Sequence, residues 1–394
     1  MLRSLFAGIS GLRTHQQMID VTGNNIANVN TTGYKSAQAT FQDTLSQMVQ
    51  AAAGPQAGNG GTNPAQVGLG ARLGNITNNF GQGASQSTGR NSDLMIQGDG
   101  FFVVTDGQER LYTRNGSFSF DASGLMTTSG GGIVQGWQAG ANGIINTNDV
   151  PGAVSLPIGV LLEPSPTQNA LFGGNLPGDR PVGTSVTTSQ TGYGQAGVPV
   201  NIGVTFTKAT ATTWGVSFDG GATTSATLTF DADGELVGPA GGIVAFNADI
   251  DLNLSAMTAY AGLSTINPIS QDGAAMGSLS SYTISNDGVL TGIFSNGLKR
   301  PLAQLALATF NNAQGLEKVG ESMFRNTVNS GPAALGIAGT GGRGVLQAGA
   351  LEMSNVDLGA EFTNLVIAQR GFQANSRVIT TSDELLQDLV NIKR

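Results

Sequence analysis

The chain is 394 residues long, enough for two or three domains with cores of their own. It holds 59 glycines, about twice the usual ~7%, and only 11% charged residues, against the usual ~25%. There is no cysteine and one histidine, His15, so a disulfide framework, a thiolate metal site and a multi-histidine metal centre are excluded.

The first seventeen residues, MLRSLFAGISGLRTHQQ, space their apolar residues instead of running them together, and no small-x-small cleavage site follows. They do not read as a secretory signal. They read as a helix with a 4-3 seam: Leu5, Ile9, Leu12, Gln16, Ile19, Gly23 and Ile26, extended backwards by Leu2. The helix is expected to fray near Gly23, where Asn24, Asn25, Asn28, Asn30 and Gly33 favour caps and turns. A second short helix is predicted with Phe41, Leu45 and Met48 on one face, and Ala51–Asn63 is a flexible linker by composition.

From about residue 68 to 350 the chain reads as β-structure. Turn dipeptides separate short apolar runs: Asp106-Gly107 after Phe101–Thr105, Asn115-Gly116 before Phe118–Phe120, Ser123-Gly124 before Leu125. The style returns at Tyr282–Ile284, Val289–Phe294 and Leu302–Phe310. Between them, Val200–Phe206, Trp214–Phe218, Ala226–Phe230 and Ile243–Phe246 are further strands. The net charge of −8 is concentrated here: residues 150–280 hold nine acids (Glu163, Asp179, Asp219, Asp231, Asp233, Glu235, Asp249, Asp251, Asp272) against Arg180 and Lys208. Prolines 164, 166 and 177 mark the entry and Asn267-Pro268 the exit, so 165–270 is read as an acidic β-domain inserted into a discontinuous one, 70–164 with 271–345.

The chain closes on a second helix, predicted from Asn355 to Ile392 and roughly 55 Å long at ~1.5 Å per residue. Its seam is Leu351, Asn355, Leu358, Phe362, Leu365, Gln369, Phe372, Ser376, Ile379, Asp383, Leu386 and Val390. Ser354 is the predicted N-cap, with Asp357 in the first turn. The two ends, 1–30 and 355–394, are thus expected to pair as a coiled-coil-like helical domain, reached through 31–69 and 346–354. Terminal helices can also pack on their own domain, but the β-rich middle offers little helical surface to receive them. The fold class is α+β, mainly β.

Chemistry is scarce. Gly339-Thr340-Gly341-Gly342-Arg343-Gly344 fits G-x-G-x-x-G but follows no strand of a βαβ unit, so it is read as a Gly-rich loop. Asp231-Ala232-Asp233-Gly234-Glu235 is half a calcium loop without flanking helices, and is read as a hairpin turn. His15 lies off the seam. No apolar run spans a membrane and no basic patch offers a nucleic-acid surface. Neither an enzyme nor a metal or cofactor site is expected. A secreted β-rich binding protein with helical ends would share the turns and the low charge.

The ends carry a more specific signal. Asp20-Val21-Thr22-Gly23-Asn24-Asn25-Ile26-Ala27-Asn28 is followed by Thr32-Gly33-Tyr34-Lys35; the other end has Leu351-Glu352-Met353-Ser354-Asn355-Val356-Asp357-Leu358 and Ala368-Gln369-Arg370-Gly371-Phe372-Gln373-Ala374-Asn375. Asn91-Ser92-Asp93-Leu94 through Gly100-Phe101-Phe102 and Tyr112-Thr113-Arg114-Asn115-Gly116-Ser117-Phe118 continue the pattern. The chain resembles the rod, hook and hook-associated family of bacterial flagellar axial proteins. An insertion of about 100 residues is similar to the hook branch, whereas the distal rod branch, otherwise alike, is shorter.

The resemblance implies a helical homopolymer, curved and flexible in the hook branch, that transmits torque from rod to filament. It implies contacts with the distal rod, the hook cap and hook–filament junction proteins, and export through the flagellar type III apparatus without signal cleavage. It also implies three layers: paired helices inside, the discontinuous β-domain in the middle, the acidic insertion facing solvent. The assembly interface would be Leu5, Ile9, Leu12, Ile19, Ile26, Leu358, Phe362, Leu365, Phe372, Ile379, Leu386 and Val390. The family-motif positions are Asn24, Asn25, Ala27, Asn28, Gly33, Ser354, Asn355, Asp357, Gln369, Arg370, Gln373 and Asn375.

Overall fold

A computed structural model describes residues 2–55, 58, 60–107, 109–140, 142–157, 159, 161–218, 225–247 and 249–392. Asp219, parts of the 51–63 segment and the side chain of Leu2 lie outside the described residues. The chain divides into two compact units: Met1–Leu156, Thr283–Thr291 and Pro301–Arg394 in the first, Pro157–Tyr282 and Gly292–Arg300 in the second.

The first unit holds both long helices, α1 (Leu2–Ala27) and α2 (Leu358–Ile392). Helix α1 continues through Gly23 to Ala27 instead of fraying there. Helix α2 starts three residues later than the sequence suggests. Asp357 is its N-cap, its Oδ1 accepting from the N–H of Gly359 at 2.8 Å and of Ala360 at 3.3 Å. A carboxylate there satisfies orphan N–H groups and meets the positive end of the helix dipole, which Ser354 is too far upstream to do. Among the described residues no helix is long and apolar enough to cross a membrane.

The predicted second helix is not one. Phe41, Leu45 and Met48 fall in a long β-ribbon: β1 (Ala37–Asp43) pairs antiparallel with β4 (Ala71–Asn78), and beyond it β2 (Ser46–Gln50) pairs with β3 (Ala65–Gly68). The 4-3 spacing there is too short to decide between helix and strand, and the partner strand decides it.

The β-part of the first unit is built around Phe101–Asp106. That strand pairs with Glu109–Thr113, with Ile133–Gln138 and with Leu307–Thr309. Glu109–Thr113 carries the sheet on to Met323–Arg325 and Glu317–Gly320. One core cluster is aromatic: Phe80, Phe101, Tyr112, Phe310 and Phe324 meet edge to face at 4.8–5.9 Å between centroids, beside Trp137.

Most of the second unit lies in two sheets. Five antiparallel strands run in chain order: Ser185–Tyr193, Pro199–Lys208, Thr213–Phe218, Ala226–Phe230 and Leu236–Gly238. The other sheet orders Ile243–Ala245, Asp251–Thr258, Asn169–Asn175 and Asn267–Gln271. Alternation sends Ile202, Val204, Phe206, Trp214, Val216, Leu228 and Phe230 into one core with Phe172, Leu252 and Leu254. The Asp231–Glu235 loop is a hairpin turn in which Asp231 Oδ1 accepts from the N–H of Asp233 and of Glu235.

The two tryptophans fall one to each unit, Trp137 in the first and Trp214 in the second. Phe206→Ala should cost the second unit about 3–5 kcal/mol, since its side chain is fully buried. In a Trp137→Phe background, denaturation followed by the fluorescence of Trp214 should show that loss.

Candidate assembly site

Helices α1 and α2 lie against each other through small and polar residues. A Cβ on Gly8 would sit 3.3 Å from Ile379 Cγ1, and one on Gly11 would sit 2.6 Å from Asn375 Oδ1. On α2, Gly371 receives the ring of His15, which also meets Phe41 edge to face at 5.7 Å. Thr14, Thr22 and Asn25 are buried on α1, Ala368 and Ser382 on α2. Most inward positions of α1 (8, 11, 15, 22, 25) and of α2 (361, 364, 368, 371, 375, 382) stand one residue before the predicted seam, Thr14 and Ile379 being the exceptions. One residue is about 100° of helix rotation.

The predicted apolar stripe is therefore rotated to the flank of the helix–helix contact. On α2, Phe362 is 52% exposed and Val390 68%, with Leu358 and Phe372 also exposed. Leu365, Ile379 and Leu386 are half-buried, and Ile379 Cγ1 lies against Gly8 of α1. On α1, Leu5, Ile9, Leu12, Ile19 and Ile26 are all half-buried. Close packing through glycine brings the backbones together, and the large apolar side chains are left on flanking surface. Val366, at 52%, widens the exposed stripe of α2.

Where both ends enter the β-part, the motif residues form a junction. Asn25, buried, closes the turn after α1 by exchanging hydrogen bonds with Ala37, its Nδ2 donating to Ala37 O at 2.7 Å and its Oδ1 accepting from Ala37 N at 3.0 Å. The same Nδ2 donates to Glu361 Oε1 of α2 at 2.8 Å, and Tyr34 Oη donates to Asn25 Oδ1 at 3.1 Å. Asn28 Nδ2 donates to Asn24 O, and Asn28 Oδ1 accepts from Thr31. Asn355 Oδ1 accepts from Ser36 N, and its Nδ2 donates to Asn79 O and Gly81 O. Gly33, at φ +67°, lies so close to Asn115 that a Cβ would be 2.5 Å from its nitrogen. Ala27, Gln369, Arg370 and Gln373 are exposed and take no part; Ser354 contributes only a long bond to Val356 N at 3.4 Å.

At the centre of this junction lies a group that sequence reasoning did not single out. Glu352 is fully buried and accepts from Lys35 Nζ at 2.6 Å and from Gly83 N at 2.8 Å through Oε1, while Oε2 faces Arg114 Nη1 at 3.4 Å. Lys35 Nζ also donates to Gly81 O at 2.9 Å. Burial pulls the pKa of the Lys35 ammonium down, opposed by the hydrogen bond and the charge of Glu352. Burial lowers Arg114 in the same way, again opposed by Glu352. One carboxylate holds two desolvated cations, one from the segment after α1 and one from the β-part, and sits itself just before α2. Each of the three residues lies in one of the motif runs quoted above, but nothing in those runs marks them as partners, since they are far apart in sequence.

Three family models match the chain: "Flagella basal body rod protein" over residues 5–35, "Flagellar hook protein FlgE/F/G D1 domain" over 95–161, and "Flagellar basal body rod FlgEFG protein C-terminal" over 347–392. The flagellar hook protein FlgE of Borreliella burgdorferi is 38% identical and that of Treponema pallidum 36%, each alignment covering 100% of both chains. The flagellar basal-body rod protein FlgG of Bacillus subtilis is 32% identical, again with both chains covered in full. Among solved structures, the Helicobacter pylori flagellar hook protein FlgE2 has a like fold, with a TM-score of 0.50 at 15% identity over 68% of this chain and 100% of that one.

Glu352→Gln would leave buried Lys35 without its anion and Arg114 with only the charge of Asp99, and should cost about 3–5 kcal/mol. Lys35→Met keeps the Arg114–Glu352 pair neutral and should cost less. Urea denaturation of the two variants side by side checks the order; an equal or reversed order would refute the assignment of Glu352 as the shared anion.

Proposed function

The chain belongs to the FlgE/F/G family of flagellar hook and basal-body rod proteins, and from that membership we infer that it is a structural subunit of the flagellar hook. The observation that carries assembly is the unpartnered apolar stripe on α2. Leucine, valine and phenylalanine at helical spacing, each worth about 1.5–3 kcal/mol if fully buried, have no cover in the single chain. A second copy supplies it. In the tube the paired helices form the inner wall, the β-part of the first unit the middle layer and the acidic unit the outer surface. The apolar stripes of α1 and α2 then meet those of neighbouring copies, as the spacing of Leu5 to Ile26 and of Leu358 to Val390 anticipates.

The ends of such a tube meet the distal rod on one side, the hook cap during growth and hook–filament junction proteins after it. The subunit travels by the flagellar type III route without cleavage of a signal, and the tube works outside the cell as a universal joint. What supports the flexible joint is the low-charge, hydroxyl-rich surface of the β-parts: many weak contacts can exchange as the tube bends, where strong ion pairs would lock it.

Purified chain brought to high concentration should form curved tubes visible by negative-stain microscopy; straight rods, or a monomer at every concentration, would sink the reading. Phe362→Asp places a charge on the exposed stripe, so the monomer should keep its melting temperature while the pelletable polymer falls at least ~10-fold. Unchanged polymer yield would remove the stripe from the interface.

A further inference from the structure

We propose that the strand Ser185–Tyr193 of the acidic unit is a docking edge that takes an extended segment of a second copy by backbone pairing. The proposal rests on the hook-subunit reading and adds to it a specific contact between outer units.

Sheet edges present unpaired N–H and C=O groups, and soluble proteins guard them by shortness, proline, charge or irregularity. The other three edges of these two sheets are guarded. Leu236–Gly238 is three residues long and runs into Pro239. Ile243–Ala245 is also three residues long. Asn267–Gln271 carries Pro268, and its register against Asn169–Asn175 is interrupted. The edge Ser185–Tyr193 has none of these devices. It is nine residues long, paired with Pro199–Lys208 in nine consecutive pairs without a bulge, and has no proline and no charge. At its end Thr167 closes the edge, its N–H donating to Tyr193 O at 2.8 Å and its Oγ1 accepting from Tyr193 N at 2.8 Å. From Ser185 to Thr191 no described strand pairs with the outer side, although Asn267–Gln271 of the other sheet approaches this strand.

The sequence of that stretch fits a partner strand. Ser185, Thr187, Ser189 and Thr191 alternate outward and are exposed, while Val186, Thr188 and Gln190 point inward and are half-buried. The nearest row behind is of the same kind, with Thr187 Oγ1 3.2 Å from Thr205 Oγ1.

The charge of the unit selects the occupant. Its acids sit on turns and on the other sheet, as at Asp231, Asp233, Glu235, Asp249, Asp251 and Asp272. Two such acidic units brought together repel except where the surface is neutral, and this edge is neutral along its whole length. A basic partner would instead be drawn to the acidic turns. A second copy, held at high local concentration in a tube, is the occupant that the neutral edge suits.

The test is amide hydrogen exchange on the full chain, as soluble monomer and as assembled tube. In the tube, peptides covering 185–191 should exchange at least ~10-fold more slowly than in the monomer, while those covering the turn at 231–235 should be unchanged. Thr187→Lys with Ser189→Lys, on the exposed face, should leave the monomer fold intact and abolish the added protection. Tubes that form with equal exchange at 185–191 would overturn the docking edge and spare the hook reading. Protection that survives in the double lysine variant would also overturn it. Failure to form tubes at all would sink the hook reading, and this inference with it.

Discussion

Everything in the first unit depends on how Glu352 is held. The residue lies six before α2, and its carboxylate binds Lys35, which lies eight after α1. Its second oxygen faces Arg114 in the β-part, and its own backbone oxygen accepts from Gly33 N at 2.8 Å. Both helices are therefore anchored to the same spot on the β-part. A surface pair would be screened and worth little, but a fully buried anion between two cations tolerates no loosening, because any separation strands a charge without water. With the helix roots fixed there, the remaining hydrogen bonds of Asn25, Asn355 and Tyr34 only have to set direction.

The sequence made the period of the helices legible but not their phase. A 4-3 apolar spacing shows that two faces exist; it does not show which face meets which partner. The expectation that the largest apolar residues pack first fails here because Gly8, Gly11 and Gly371 permit a closer approach than leucine does. The pair settles one residue round, on glycine, threonine and asparagine, and leaves Phe362 and Val366 outward. The resemblance had already marked Asn25, Asn28, Gly33 and Asn355, and each has a structural duty in the junction. For Gln369, Arg370 and Gln373 no duty within the chain is visible. Charge partners were out of reach for sequence reasoning altogether: Lys35, Arg114 and Glu352 share no local pattern.

The ribbon of β1 to β4 shows a different limit. Phe41, Leu45 and Met48 have helical spacing over eight residues, yet Ala37–Asp43 finds its partner in Ala71–Asn78, across a segment that reads only as Gly-rich linker. Local spacing cannot outweigh a ladder whose other half lies some thirty residues on. In the second unit the turns were legible because Asp231-Ala232-Asp233-Gly234 enforces a tight bend by its own side-chain hydrogen bonds, whatever the strands do.

The two units carry surfaces of opposite character, and the difference bears on how a tube of such subunits would respond to bending. On α2 the exposed groups are large and apolar. Burying them expels water over a shaped surface, and a knob displaced from its hole loses packing at once. Such contacts hold position. The edge Ser185–Thr191 offers backbone groups and a two-residue repeat of serine and threonine. A strand whose exposed face repeats serine and threonine specifies the register of an added strand weakly, because a shift of two residues brings equivalent side chains opposite each other, a step of about 6.8 Å. Each bond given up there is replaced by one to water or to the next residue along. In the proposed tube, fixed register near the helices and loose register at the acidic unit is the distribution a bending wall requires. Path length changes least close to its axis and most at its outer face.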